Sequence, residues 1–178
     1  MSIQQILIGL IQFVLTIFIS FFLVFVSYRL ILMLSRKFDE ERHLKDNKVS
    51  VGVLLGSILL GEAIILKQAV YPVMAVVQLY VLEGNRGTGR FLSTLGMALG
   101  HVVVVGILAV LTITFCFWLF NRLTPKIDQL KEIKEGNLAV AVFMAFFIIG
   151  ICLLLSDGIS GLAKALVPFP EIGTIPLQ

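Results

Sequence analysis

The chain has 178 residues, of which 58% are hydrophobic and 14% charged, and its mean hydropathy is +1.03. Soluble domains average roughly 45–50% apolar and about 25% charged residues, so this composition excludes a soluble enzyme, a disordered chain and a coiled coil. A net charge of +3, from fourteen Lys and Arg against eleven Asp and Glu, is too small for a nucleic-acid-binding module, and the long uncharged runs make a lipid bilayer the expected solvent.

The first predicted span covers about residues 6–32. Ile3–Tyr28 carries no charge, no Lys or Arg precedes Arg29, and no A-x-A-like site follows. A secretory signal has a basic start and a shorter apolar stretch, so a retained transmembrane helix is expected. A charged loop over 33–48 follows, then a second span over 49–68. Pro72 is expected to interrupt that span, leaving Val73–Leu82 as a short interfacial helix. A Gly-rich polar turn, Glu83 to Arg90, leads to a third span over 91–120. The mixed-charge loop 121–136 leads to a fourth over 137–155. Asp157-Gly158 reads as its terminator, with a second short interfacial segment beyond it.

Orientation follows from cations in short loops. Arg36, Lys37, Arg42, Lys45 and Lys48 lie in the first loop, and Arg122, Lys126, Lys131 and Lys134 in the third. The other side offers only Arg86, Arg90 and Lys164. Loops 33–48 and 121–136 are therefore expected in the cytoplasm of a bacterial inner membrane, with both termini outside. Acids and bases three to four apart (Asp39/Arg42, Glu41/Lys45, Asp128/Lys131, Lys131/Glu135) give both loops helical character.

A shift of 89 residues, half the chain, aligns the two halves without a gap. Lys37 falls on Lys126, Asp39 on Asp128, Lys45 on Lys134, Val51 on Val140, Gly61 on Gly150 and Leu66 on Leu155. The expected architecture is an all-α integral membrane protein. Its four transmembrane helices form two tandem two-helix repeats, 1–89 and 90–178. An even number of spans per repeat gives both the same orientation, related by an axis along the membrane normal.

The segment Glu132-Ile133-Lys134-Glu135-Gly136-Asn137-Leu138-Ala139-Val140-Ala141 opens the fourth span. It resembles the E-I-K-x-G-N-x-A-V-A signature of a bacterial family catalogued as domain of unknown function 350, the YjfL-like inner-membrane proteins. The resemblance covers nearly the whole chain and implies four spans and a two-helix duplication. It implies no established chemistry, so it assigns no catalytic residue. The first half departs from the signature, reading Asp46-Asn47-Lys48-Val49-Ser50-Val51-Gly52. On physical grounds alone, Gly136 relaxes the backbone where the loop turns. Asn137 can accept the orphan N–H groups that begin the fourth span, as Asn47 can for the second.

Small residues four apart mark close helix packing in membranes. Gly52/Gly56 and Ser57/Gly61 lie on the second span, Gly96/Gly100 on the third, and Ala141/Ala145 on the fourth, with Gly150 repeating Gly61. Cys116 and Cys152 lie inside apolar runs and read as small core residues.

Glu62 is the outlier. It lies roughly 20 Å in from the cytoplasmic edge at about 1.5 Å per residue, where an unpaired ionised carboxylate costs several kcal/mol. Lys67, about 140° round the helix, is a poor partner. His101 is expected at comparable depth, within reach of a hydrogen bond or ion pair, and Gln12 is its repeat equivalent. This intramembrane polar set of Glu62, His101 and Gln12 fits an interhelical hydrogen bond, a proton or ion path, or a lipid or ligand contact.

No Walker loop, H-E-x-x-H or G-x-S-x-G occurs, and metal ligands do not cluster. No catalytic residue, metal or cofactor is expected. The first reading is a non-enzymatic membrane protein that forms a homo-oligomer or binds a membrane partner. The alternative is a small oligomeric channel or transporter for protons or ions using Glu62, His101 and Gln12. A lipid-acting enzyme comes last.

Overall fold

A computed structural model describes residues 3–34, 48–82 and 88–167. The described residues form five helices in chain order: α1 (Ile3–Leu34), α2 (Val49–Leu82), α3 (Thr88–Leu123), α4 (Gln129–Glu135) and α5 (Leu138–Leu166). The expected helical character of loop 33–48 and the cap at Asn47 lie outside the described residues, as does the turn after Leu82.

Val49–Met74, Leu95–Leu123 and Leu138–Leu166 are each long and apolar enough to cross a bilayer. At about 1.5 Å per residue, the 26 residues of the shortest exceed the roughly 30 Å of hydrocarbon that a span must cover. These helices mark the chain as a membrane protein. α1 is a 32-residue helix with Phe13, Phe18, Phe21, Phe22 and Phe25 on its exposed surface.

α2 is the hub. Over half of its apolar window (56%) is buried inside the chain, against 28% for α3 and for α5. It packs against α5, α3 and α1, while α1 touches α3 more lightly. The core runs along the inner side of α2 (Val51, Leu54, Ile58, Ile65, Ala69), meeting Val105, Ala109 and Ile113 of α3 and Met144, Ile148 and Cys152 of α5.

Two expected breaks do not occur. α2 continues through Pro72 to Leu82, so no separate interfacial helix follows the second span. A proline withdraws one N–H, leaving the carbonyl four residues back without its helical donor, and inside a packed bundle a neighbouring group can take that carbonyl. α5 likewise runs through Asp157-Gly158 to Leu166. Gly158 has no positive φ, and Ile159 and Ala163 beyond it are buried, so packing carries the helix past the break signal.

Two of the four pairs of helix ends match under the 89-residue shift. Leu34, the last residue of α1, falls on Leu123, the last of α3, and Val49, the first of α2, falls on Leu138, the first of α5, whereas Ile3 falls inside α3 and Leu82 falls beyond the end of α5.

α4 lies between α3 and α5, at the end where α2 starts. Asp128 Oδ1 accepts from the Lys131 N–H at 3.2 Å, and Lys131 pairs with Glu135 at 3.9 Å. Gly136 ends the helix at φ 102, in the left-handed region that a side chain resists. Asn137 Oδ1 then accepts from the Val140 N–H at 3.3 Å to start α5, while its Nδ2 donates to Glu132 Oε2 at 2.8 Å.

Candidate intramembrane polar site

The site is centred on the inner face of α2. Gly61 marks the closest approach of three helices. A Cβ there would lie 2.9 Å from Cys152 Sγ, 3.2 Å from Ile148 Cγ2 and 3.3 Å from Ile113 Cδ1. Only glycine allows α2 this near both α3 and α5.

Glu62 follows directly, and the close approach seals it in. It is fully buried, and neither carboxylate oxygen has a hydrogen-bond partner among the described residues. Cys116 of α3 and Cys152 of α5 lie nearby, both free and fully buried, with their thiols beside one another. An uncompensated buried carboxyl costs several kcal/mol when charged, so Glu62 is the energetic anomaly of the bundle.

A second polar cluster lies about 9 Å further along α2, six residues on at roughly 1.5 Å each. Gln68 Nε2 donates to Ser156 Oγ at 2.9 Å, joining α2 to α5. His101, buried on α3, lies against the backbone of Gln68 and of Val167. The Gln68 carbonyl is the one that Pro72 leaves without its i+4 donor, and His101 is the polar side chain beside it. Its Nδ1 has no partner among the described residues.

Among the described residues Glu62 and His101 form no hydrogen bond: His101 lies against the backbone of Gln68 and Val167, and neither Glu62 oxygen has a partner there. The backbone of Gln12 lies in α1, and its side chain lies outside the described residues. Among the small residues, Gly61 packs tightly and Gly100 meets Val167 at 3.9 Å, whereas a Cβ on Gly56, Gly96 or Gly150 would meet nothing within 4 Å. Gly52 is half-buried on α2.

Several functional contacts escape sequence reading. Lys48 Nζ donates to the Lys134 carbonyl and Ser50 Oγ to the Ile133 carbonyl at 2.6 Å, fastening the start of α2 to the end of α4. Orphan carbonyls at a helix C-terminus attract such donors. For His101 a signal did exist: counting four back from Pro72 identifies Gln68 as an acceptor in want of a donor.

The described residues gather no three His, Cys, Asp or Glu that could hold a metal. The apolar groove between α2 and α5, bordered by Gly56, Leu60, Phe146 and Ile149, does not include Glu62 or His101.

A family model described as Domain of Unknown Function (DUF350) matches the chain twice, over residues 5–98 and over residues 90–175. No curated protein and no solved structure matches the chain.

Proposed function

The chain belongs to the DUF350 family, a domain of unknown function, and we propose that it is a non-enzymatic, four-span protein of the bacterial inner membrane that works by assembling with copies of itself or with a membrane partner. α1 supplies the fourth span, on the strength of its 32 helical residues and its exposed phenylalanines. Two tandem family matches and the coincidence of two pairs of helix ends under the 89-residue shift support a duplicated two-helix unit. The cation excess around α4 supports a cytoplasmic placement for 121–136 and outside termini. Trp118, exposed and with Arg122 5.9 Å from its ring centroid, suits the inner interface.

One observation favours assembly over conduction: Glu62 is fully buried within a single chain. A conducting carboxylate must meet water along its path. Large apolar side chains such as Phe21, Phe146 and Leu154 instead form a broad outer surface, which lipid or other membrane helices cover.

The test has two measurements. Proteoliposomes holding the full chain should show proton and ion flux equal to that of empty vesicles, for wild type and for Glu62→Gln alike. Single-molecule mass in native-lipid nanodiscs should show species larger than one chain. Flux above empty vesicles that Glu62→Gln abolishes would establish the channel reading instead.

A further inference from the structure

Equivalent positions of α2 and α5 bury opposite sides. Under the 89-residue shift, Leu54, Ser57, Gly61 and Ile65 of α2 fall on Phe143, Phe146, Gly150 and Leu154 of α5. The α2 set is sealed in the bundle, with Leu54 2% and Ile65 0% exposed. The α5 set faces outward, with Phe146 72% and Leu154 79% exposed. A Cβ on Gly61 would strike Cys152 and Ile148, and one on Gly150 would meet nothing within 4 Å. The reverse holds for the receiving side. Ile148 and Cys152 of α5 are buried against Gly61, while their α2 counterparts, Leu59 and Ala63, are exposed.

The two halves are thus joined head to tail. An isologous joint would bury the same face on both helices. Here one face of α2 meets the opposite face of α5, so one surface of each kind remains free: the Gly150 face on α5 and the Leu59/Ala63 face on α2. These free surfaces are the repeat counterparts of a joint the chain already makes with itself, and this correspondence identifies the occupant as a second copy.

We infer that the protein self-associates head to tail, the α5 face of Phe143, Phe146, Gly150 and Leu154 seating against Leu59 and Ala63 of α2 in a neighbouring copy. The inference rests on the assembly reading and gives it an interface. Gly150 takes the part of Gly61, with Leu59 and Ala63 in place of Ile148 and Cys152. Copies inserted in one membrane orientation are related about the membrane normal, and head-to-tail contacts about one axis close into rings when the rotation permits.

The full chain in native-lipid nanodiscs tests this by single-molecule mass. Gly150→Leu should lower the assembled fraction about ten-fold, since overpacking a close helix contact is strongly unfavourable. Gly96→Leu, also into open space but on α3, should leave it unchanged. A Cβ at either position meets nothing within 4 Å, so helix content and unfolding should match wild type. Gly150→Cys and Ala63→Cys, co-expressed on separate copies and mildly oxidised, should give a mixed disulfide dimer that neither gives alone. An assembled protein indifferent to Gly150→Leu, or Gly150→Cys linking only to itself, would overturn the head-to-tail joint and leave self-assembly standing. A wild-type protein found only as single chains, with lipid covering the α5 face, would overturn both.

Discussion

Gly61 and Glu62 are neighbours with opposite consequences for stability. Gly61 lets three helices meet, and a side chain there must displace Cys152, whose Sγ would lie 2.9 Å from the new Cβ. Gly61→Leu should destabilise the chain by about 1–3 kcal/mol in chemical unfolding from detergent micelles, whereas Gly56→Leu, facing open space, should fall within about 0.5 kcal/mol. Equal effects of the two would remove Gly61 as the crossing point. Glu62 stands out in the sequence as an acid deep in an apolar run, and so did the small-residue spacing that includes Gly61. Their difference in role did not. Glycines 56, 61, 96, 100 and 150 look alike in sequence, and only the placement of Cys152 and Ile148 separates the one that is closed from those that are open.

At the scale of helices, the join between α2, α3 and α5 depends on a missing hydrogen. Pro72 withholds an N–H from the Gln68 carbonyl, His101 lies beside that carbonyl, and the Gln68 side chain reaches Ser156. His101→Ala should cost about 1–3 kcal/mol by leaving that carbonyl unsatisfied. In a Pro72→Ala background the restored N–H fills the role, and the loss should shrink. A double-mutant cycle in detergent unfolding should return a coupling of about 0.5–3 kcal/mol; additive effects would rule out the exchange. Sequence order made Pro72 look like a break, because proline weakens a helix considered alone. The tertiary partner reverses that outcome. At the other end, Gly136 and Asn137 were legible from sequence, since a left-handed cap and an N-cap are set by residues within one turn.

For the whole molecule, the cation distribution sets a testable direction. Lys131→Cys, on exposed α4, should react with a membrane-impermeant maleimide in inside-out vesicles and stay unlabelled in intact spheroplasts. The opposite pattern would reverse the topology. Sequence alone determined that the chain lives in a membrane, where its long helices begin, the family it belongs to and the 89-residue correspondence between its halves, because hydropathy, capping and repetition are properties of the chain read along its length. Tertiary structure decided that α2 is the hub, that Glu62 is sealed away from His101, and that the halves meet by opposite faces. Helices that are apolar on every side carry no polar stripe to tell a lipid-facing side from a protein-facing one. Which side is buried is settled only by where another helix can come close.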